Sequence, residues 1–361
     1  MHRVLVLGAG KIGRAIAMLL HSADDFDVLV ADSDSAALSK LRGMVPVETI
    51  IADAGNPGEL RSLMQGRDSV ISALVFSANP AVAEAAVETS TSYFDLTEDV
   101  ATTRAVRQHA EQCRDGCILM PQCGLAPGFI SIAASHLMQQ FQSLDSVHMR
   151  VGAMPQFPSN ALKYNLTWST DGLINEYCNP CEAIHEGRLL EVLPLEGYEE
   201  FLLDGVRYEA FNTSGGLGSL CETMQGKVRE LNYRTIRYLG HCELMRFLLN
   251  DLRLSERRSL VKEILEAAIP VTYQDVVITF VNVSGIRNGQ FMQITDARKI
   301  YHQDVFGRHW SAIQITTAAG ICAAVDLHAQ GKLPSRGFVR QEDIRFEDFI
   351  ENRFGRYYAC N

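Results

Sequence analysis

What this 361-residue chain lacks narrows what it can be. It has no long uninterrupted hydrophobic run. Its most apolar stretch, Trp310 to Leu327, is broken by Ser311, Gln314, Thr316, Thr317 and Asp326, which predicts a buried helix rather than a membrane span. It has no excess of positive charge, and a formal net charge of −10 argues against nucleic acid or an anionic membrane as principal partner. Nine cysteines, an odd number without framework spacing, are expected as reduced thiols in a cytoplasm. Only Met1, His2 and Arg3 precede the first apolar run, so no signal peptide is expected. Internal repeats, low-complexity tracts and Pro/Gly-rich linkers are also missing. What is left is an ordinary globular composition, 47% hydrophobic and 21% charged, over a length that exceeds one core, so two domains are expected.

The feature that is present stands at the start. Val4-Leu5-Val6-Leu7 runs directly into Gly8-Ala9-Gly10-Lys11-Ile12-Gly13, and Ile16, Leu19 and Leu20 then keep helical spacing. A strand that turns through glycines into a helix is what a dinucleotide fingerprint requires. Gly8 permits the turn, Gly10 leaves room for a pyrophosphate, and Gly13 lets helix and strand pack closely. The phosphates meet N–H groups at a helix N-terminus, at Lys11 and Ile12, where the dipole favours anions. A second apolar run, Val28 to Ala31, ends at Asp32, placed to accept from the adenosine ribose hydroxyls. Because Asp32 repels a 2′-phosphate and no arginine follows it, NAD is expected over NADP.

From residue 1 to about 125, strand-like and helix-like runs alternate, which predicts a Rossmann-type doubly wound parallel sheet. After Pro127-Gly128 the character changes. Val147–Ala153, Leu162–Ser169, Ala183–Val192, Arg207–Phe211 and Val276–Ser284 read as strands, with turns at Glu186-Gly187 and Asn288-Gly289. Leu244–Leu252 and Leu260–Ala268 read as helices between them. The expected organisation is 1–125 for dinucleotide binding, 126–308 as an α+β domain, and 309–361 as a C-terminal segment.

Ligands of open parallel sheets sit beyond the carboxyl ends of the strands. That rule selects Asp53 and Ala54, Ala73 and Leu74, and Asp95 with Glu98 and Asp99. Pro127 and Gly128 open an apolar helix whose free N–H groups are expected to face the cofactor. In the second domain, Trp168 and Asp171 lie at a strand-to-helix turn, with Thr170 or Asp171 as N-cap. Thr213 belongs to a glycine-rich polar loop. Arg237 offers a bidentate grip for a carboxylate, and His241 a group able to move protons near neutral pH. Cys178-x-x-Cys181 with His185 lacks a second ligand pair, so no metal is expected.

Gly8 to Gly13, Gly124-Leu125-Ala126-Pro127-Gly128, Leu166-Thr167-Trp168-Ser169 with Asp171-Gly172-Leu173, Phe211-Asn212-Thr213-Ser214-Gly215-Gly216 and Arg237-Tyr238-Leu239-Gly240-His241 together resemble the saccharopine dehydrogenase-like family. The likeness is strongest to bacterial saccharopine dehydrogenases and lysine 6-dehydrogenases. Leu239 stands where relatives often have proline, which alters loop stiffness rather than chemistry. The resemblance implies NAD(P)-linked oxidation of a C–N bond in a homodimer, with the second domain serving substrate binding and dimerisation and the C-terminal segment packing back on the Rossmann domain. It implies saccharopine as substrate, giving 2-aminoadipate 6-semialdehyde and glutamate. Asp95, His241 and Asp171 are then the catalytic candidates, with Arg237 and Lys163 on carboxylates and Trp168 and Thr213 shaping the pocket. Lysine 6-dehydrogenase is the alternative within that chemistry. A non-catalytic NAD-binding sensor is the alternative outside it.

Overall fold

In the computed structural model, which describes residues 1–166 and 168–359, the chain divides into two units. One comprises Met1–Phe129 with Thr316–Ala359, the other Ile130–Ile315. Thr167, within one of the motifs above, lies outside the described residues.

The first unit follows the alternation of its sequence. It runs β1 (His2–Leu7), α1 (Lys11–His21), β2 (Phe26–Asp32), α2 (Ser35–Arg42), β3 (Glu48–Ile51), α3 (Pro57–Met64), β4 (Ser69–Ser72), α4 (Asn79–Thr89), β5 (Ser92–Asp95), α5 (Val100–Gln108) and β6 (Ile118–Met120). The strands lie side by side in the order β3-β2-β1-β4-β5-β6, and Gly337–Phe338 adds a seventh beyond β6. Every pairing is parallel. The order reverses between β1 and β4, the switch point where doubly wound sheets bind ligands. Val4 to Leu7 are buried, as expected of a parallel strand covered on both faces. Helix α1 buries Ala15, Ile16, Leu19 and Leu20 against the sheet, each large side chain contributing about 1.5–3 kcal/mol.

The seventh strand is tied to β6 by backbone bonds from Gly337 N to Cys117 O (3.1 Å) and Val339 N to Leu119 O (3.0 Å). The helix Ala312–Ala329 is the one described helix long and apolar enough to cross a membrane, yet 83% of it is buried within the protein. Its Asp326 is held by Asn352 (2.7 Å) and Arg353 (2.6 Å), so it behaves as a core helix.

The second unit is α+β. Its eight-stranded sheet contains β7 (Ser143–Pro155), β8 (Cys181–His185), β9 (Arg188–Val192), β10 (Glu199–Leu203), β11 (Val206–Asn212), β12 (Glu230–Tyr238), β13 (Asp275–Arg287) and β14 (Gln290–Tyr301). The order is β10-β11-β12-β7-β13-β14, with the β8–β9 hairpin attached to β12. Only β12 and β7 pair parallel; the remainder are antiparallel. The expected turns are left-handed at both central residues, with φ of 48° and 77° at Glu186-Gly187 and 53° and 74° at Asn288-Gly289. That is the geometry whose twist matches a tight hairpin.

Three expectations are corrected. The segment 162–169 contains no strand among its described residues. The Asn160 amide accepts from Tyr164 N and donates to Tyr164 O, and Lys163 has φ of 51°, so the chain turns there. Ala183–Val192 is a two-stranded hairpin rather than one strand. The helix expected from Leu244 begins at His241 and passes into a π-helical turn at Phe247–Asp251.

Candidate functional site

The glycine-rich turn has the geometry its spacing predicts. Gly8 has φ of +101° and donates to Ala31 O at 2.8 Å. A Cβ on Gly8 comes within 2.8 Å of Ala73 O, and one on Gly13 within 1.9 Å of Gly8 O, whereas one on Gly10 meets nothing within 4 Å. Gly8 and Gly13 are therefore required by the protein's own packing, while the space over Gly10 is left for something else. Gly10 also caps α1 without a side-chain bond, and no acidic residue stands in the first turn. Open space above N–H groups at a helix start fits a pyrophosphate.

The Asp32 carboxylate accepts from Ala9 N (2.6 Å) and Asp34 N (2.8 Å), so it braces the turn while standing at the end of β2. Ala73 and Leu74 follow β4 directly. Asp53 is exposed, and its Oδ1 accepts from Gly55 N at 2.8 Å, which closes the turn containing Ala54. Pro127 and Gly128 lie in a closed turn, with Phe129 N on Gly124 O at 3.0 Å. Asp99, singled out with Asp95, caps α5 by accepting from Thr102 N at 2.7 Å.

Asp95 departs from expectation. It is 0% exposed, and both oxygens are occupied. Oδ1 accepts from Thr97 N and Gln122 N (2.9 Å each), and Oδ2 from Tyr93 Oη (2.5 Å) and Asn79 Nδ2 (3.2 Å). Burial raises its pKa above the usual carboxylate value, against those donors. The carboxyl expected to serve a substrate is thus a brace joining β5, α4 and the end of β6. Asp95→Asn is expected to cost about 1–3 kcal/mol, because the new amide points a donor at Asn79 Nδ2. Urea unfolding measures this; full stability with lost turnover would return Asp95 to the catalytic set.

The second unit brings two of the other candidates, Arg237 and His241, together through Tyr177. Arg237 on β12 lies opposite Glu209 on β11 and is only 4% exposed. Its Nε donates to Tyr177 Oη at 3.0 Å and its Nη1 to Ile236 O at 2.8 Å. The guanidinium lies 4.9 Å from the centre of the Tyr164 ring and 5.9 Å from that of Tyr177, contacts that favour its charge where water is excluded. His241 is 1% exposed. Its Nδ1 lies 2.8 Å from Leu162 O and its Nε2 3.0 Å from Tyr177 Oη. Since a carbonyl only accepts, Nδ1 carries the proton and Nε2 accepts from the phenol. Burial, then the Arg237 charge, lowers its pKa to about 3, so the imidazole is neutral at physiological pH.

The remaining candidates are spread more widely. Trp168 is half-buried and donates from Nε1 to Tyr164 Oη at 3.1 Å. Thr213 is buried and bonds Thr235 Oγ1 at 3.2 Å. Lys163 is exposed, with Nζ on Leu239 O at 2.9 Å. The Asp171 side chain is 44% exposed and paired with Lys262 at 2.6 Å. The N-cap there is Ser169, which accepts from Gly172 N at 3.1 Å.

Tyr177 and Glu209 were missed from sequence. Glu209 accepts from Gly240 N and Cys242 N (2.6 Å each), fixing the start of the helix that carries His241. Its signal was legible. Glu209 alternates with Phe211 along β11, so it points to the same face as a buried aromatic, where an acid needs dedicated partners. Nothing marked Tyr177 apart from other core aromatics.

The cysteines of Cys178-x-x-Cys181 remain thiols, since burial raises both pKa values, that of Cys181 to about 12. His185, Glu186 and Glu230 come close enough to hold an ion. There the Arg229 guanidinium reaches both Glu186 and Glu230 at 3.1 Å and already supplies the positive charge.

The doubly wound sheet and its phosphate cradle define a dinucleotide-binding protein. The description "Saccharopine dehydrogenase NADP binding domain" matches residues 4–120, and "Saccharopine dehydrogenase C-terminal domain" matches residues 124–354; the chain belongs to the saccharopine dehydrogenase family. It is 22% identical over 257 residues to the mitochondrial alpha-aminoadipic semialdehyde synthase of Mus musculus, and 23% identical over 198 residues to that of Rattus norvegicus. Those matches cover 64% and 53% of this chain but only 27% and 21% of the relatives, so it spans about a quarter of their length. Among solved structures, saccharopine dehydrogenase (L-Glu forming) from Saccharomyces cerevisiae shares the fold, with a TM-score of 0.79, 17% identity and 96% of each chain covered.

Proposed function

We propose that the chain is a saccharopine dehydrogenase acting in the catabolic direction. Saccharopine, a dinucleotide in its oxidised form and water give glutamate, 2-aminoadipate 6-semialdehyde, the reduced dinucleotide and a proton. The bound nicotinamide supplies the hydride acceptor. The protein's part is to hold the amine substrate, and Arg237 is the observation that carries this reading. It is a buried cation in an aromatic setting, with two of its five N–H groups engaged by described residues, suited to a substrate carboxylate. Trp168 and Thr213 lie in the same unit and help to shape the binding region. Lysine, oxidised at its ε-amine, is the second candidate substrate. Its single carboxylate matches the single cation of this buried cluster, while Lys163 is exposed. Reduced-dinucleotide formation with each compound decides. Turnover of saccharopine supports the first assignment, turnover of lysine alone replaces it, and dinucleotide binding without turnover of either favours a sensor.

NAD is the proposed cofactor, on the carboxylate of Asp32 at the end of β2. NADP is favoured instead by the family description of the first domain. Asp32→Ser is expected to shift the ratio of kcat/KM for the two cofactors toward NADP by about tenfold, or about 1.4 kcal/mol. A wild-type preference for NADP would overturn this assignment. A homodimer built through the second unit, and a cytoplasmic location, belong to the same proposal; light scattering tests the first.

A further inference from the structure

We propose that Tyr177 and His241 form a positioning pair that aims the Arg237 guanidinium, and that His241 is not the base of the reaction. This rests on the proposal that Arg237 grips a substrate carboxylate. The hydrogen bonds run in one direction: Arg237 Nε–H to Tyr177 Oη, Tyr177 O–H to His241 Nε2, and His241 Nδ1–H to Leu162 O. Each member is fixed from a second side. Nη1 of Arg237 is held by Ile236 O. The His241 ring stacks on Phe211 at 6.2 Å and meets Tyr164 edge-on at 5.4 Å. The backbone at His241 is locked by Glu209 through Gly240 N and Cys242 N.

The consequence is geometric. A guanidinium donates in a rigid plane; engaging Nε and one hydrogen of Nη1 sets that plane and leaves the other N–H groups on Nη1 and Nη2 as the grip. The phenol alone cannot fix the plane, because its hydroxyl rotates. Donation to Nε2 stops the rotation and turns an oxygen lone pair toward Arg237. The imidazole in turn presents Nε2 as an acceptor because Leu162 O holds the proton on Nδ1. Both ring nitrogens are therefore already committed within the protein. A general base needs a free lone pair within reach of the proton it takes, and His241 has none. Glu209, the acid facing Arg237 across the strands, accepts from the backbone N–H groups of Gly240 and Cys242. It anchors the helix start, and the buried Glu176 adds a further negative charge that favours the charged form of the Arg237 guanidinium.

Two variants and one spectrum test this. Tyr177→Phe is expected to raise KM for saccharopine about tenfold or more, with kcat altered less than about threefold and dinucleotide affinity unchanged, the pattern of lost substrate binding. His241→Gln keeps an oxygen able to accept from Tyr177, and is expected to retain kcat within about tenfold. A fall of about 100-fold or more in kcat at constant KM, in either variant, would make the pair a proton carrier and overturn the inference. An unchanged KM in Tyr177→Phe would do the same. Nitrogen-15 histidine spectra of the unsubstituted protein report the tautomer without any substrate. A neutral ring protonated on Nδ1 from about pH 5 to 8 is expected, and protonation on Nε2 would refute the chain of bonds. If neither saccharopine nor lysine is oxidised by the unsubstituted protein, the functional assignment fails while the spectrum still judges the hydrogen-bonded chain.

Discussion

Gly13→Ala is expected to prevent the first unit from folding as described, whereas Gly10→Val leaves the fold in place and removes dinucleotide binding. The two glycines differ in what surrounds them. A methyl on Gly13 comes within 1.9 Å of Gly8 O, a backbone atom that moves only if the turn between β1 and α1 opens. Overpacking against side chains costs about 1–3 kcal/mol, and a clash with backbone costs more, a large share of the roughly 5–15 kcal/mol that holds a domain together. At Gly10, with φ of −66°, any residue is tolerated, and an added Cβ touches nothing in the protein. Valine there fills the space a pyrophosphate would take, so affinity for the dinucleotide is expected to fall about 100-fold or more, roughly 2.7 kcal/mol. Thermal unfolding read beside dinucleotide titration separates the cases. Tight binding by Gly10→Val would remove the cradle from the functional account.

Arg237→Ala is expected to raise KM for the carboxylate-bearing substrate about 100-fold while dinucleotide affinity holds. Losing one partner of a buried, hydrogen-bonded charge contact costs about 2–5 kcal/mol. The variant also leaves the Tyr177 hydroxyl without its donor, so some global stability should go with it. Arg237→Lys is expected to recover less than a tenth of the loss, because an ammonium keeps the charge but not the planar fork. An unchanged KM in both variants would take Arg237 out of the site.

The legible parts of this molecule are those whose causes lie within a few residues of one another. Gly8, Gly10 and Gly13 announce their turn because spacing, turn and helix are all local, and Glu186-Gly187 and Asn288-Gly289 announce hairpins for the same reason. Asp95 shows where local reasoning ends. Its position after β5 satisfies the general rule for a ligand-contacting carboxylate, but its four donors come from α4, β5 and two loops. Nothing in the sequence near Asp95 states that Asn79 and Gln122 will arrive there. The false strand over 162–169 has a similar cause: its apolar residues read as extended, while the deciding contact is the Asn160 side chain closing a turn on Tyr164. β14 escaped notice because Gln290 to Tyr301 is a largely exposed edge strand with no clean alternation. Arg237 and His241 were singled out one by one from residue chemistry. Tyr177, which joins them, comes from a helix some sixty residues earlier and looks like any core aromatic.

The small Gly337–Phe338 strand bears on how the protein is made. It forms the far border of a sheet whose opposite strands are synthesised first. More than two hundred residues, including the whole second unit, leave the ribosome between β6 and the strand that shields its side. Throughout that interval the nascent first unit offers a bare row of β6 backbone groups, the kind of surface on which incomplete chains pair with one another. Its protection during synthesis must then come from speed, from a chaperone, or from how short β6 is, with only the three residues Ile118–Met120.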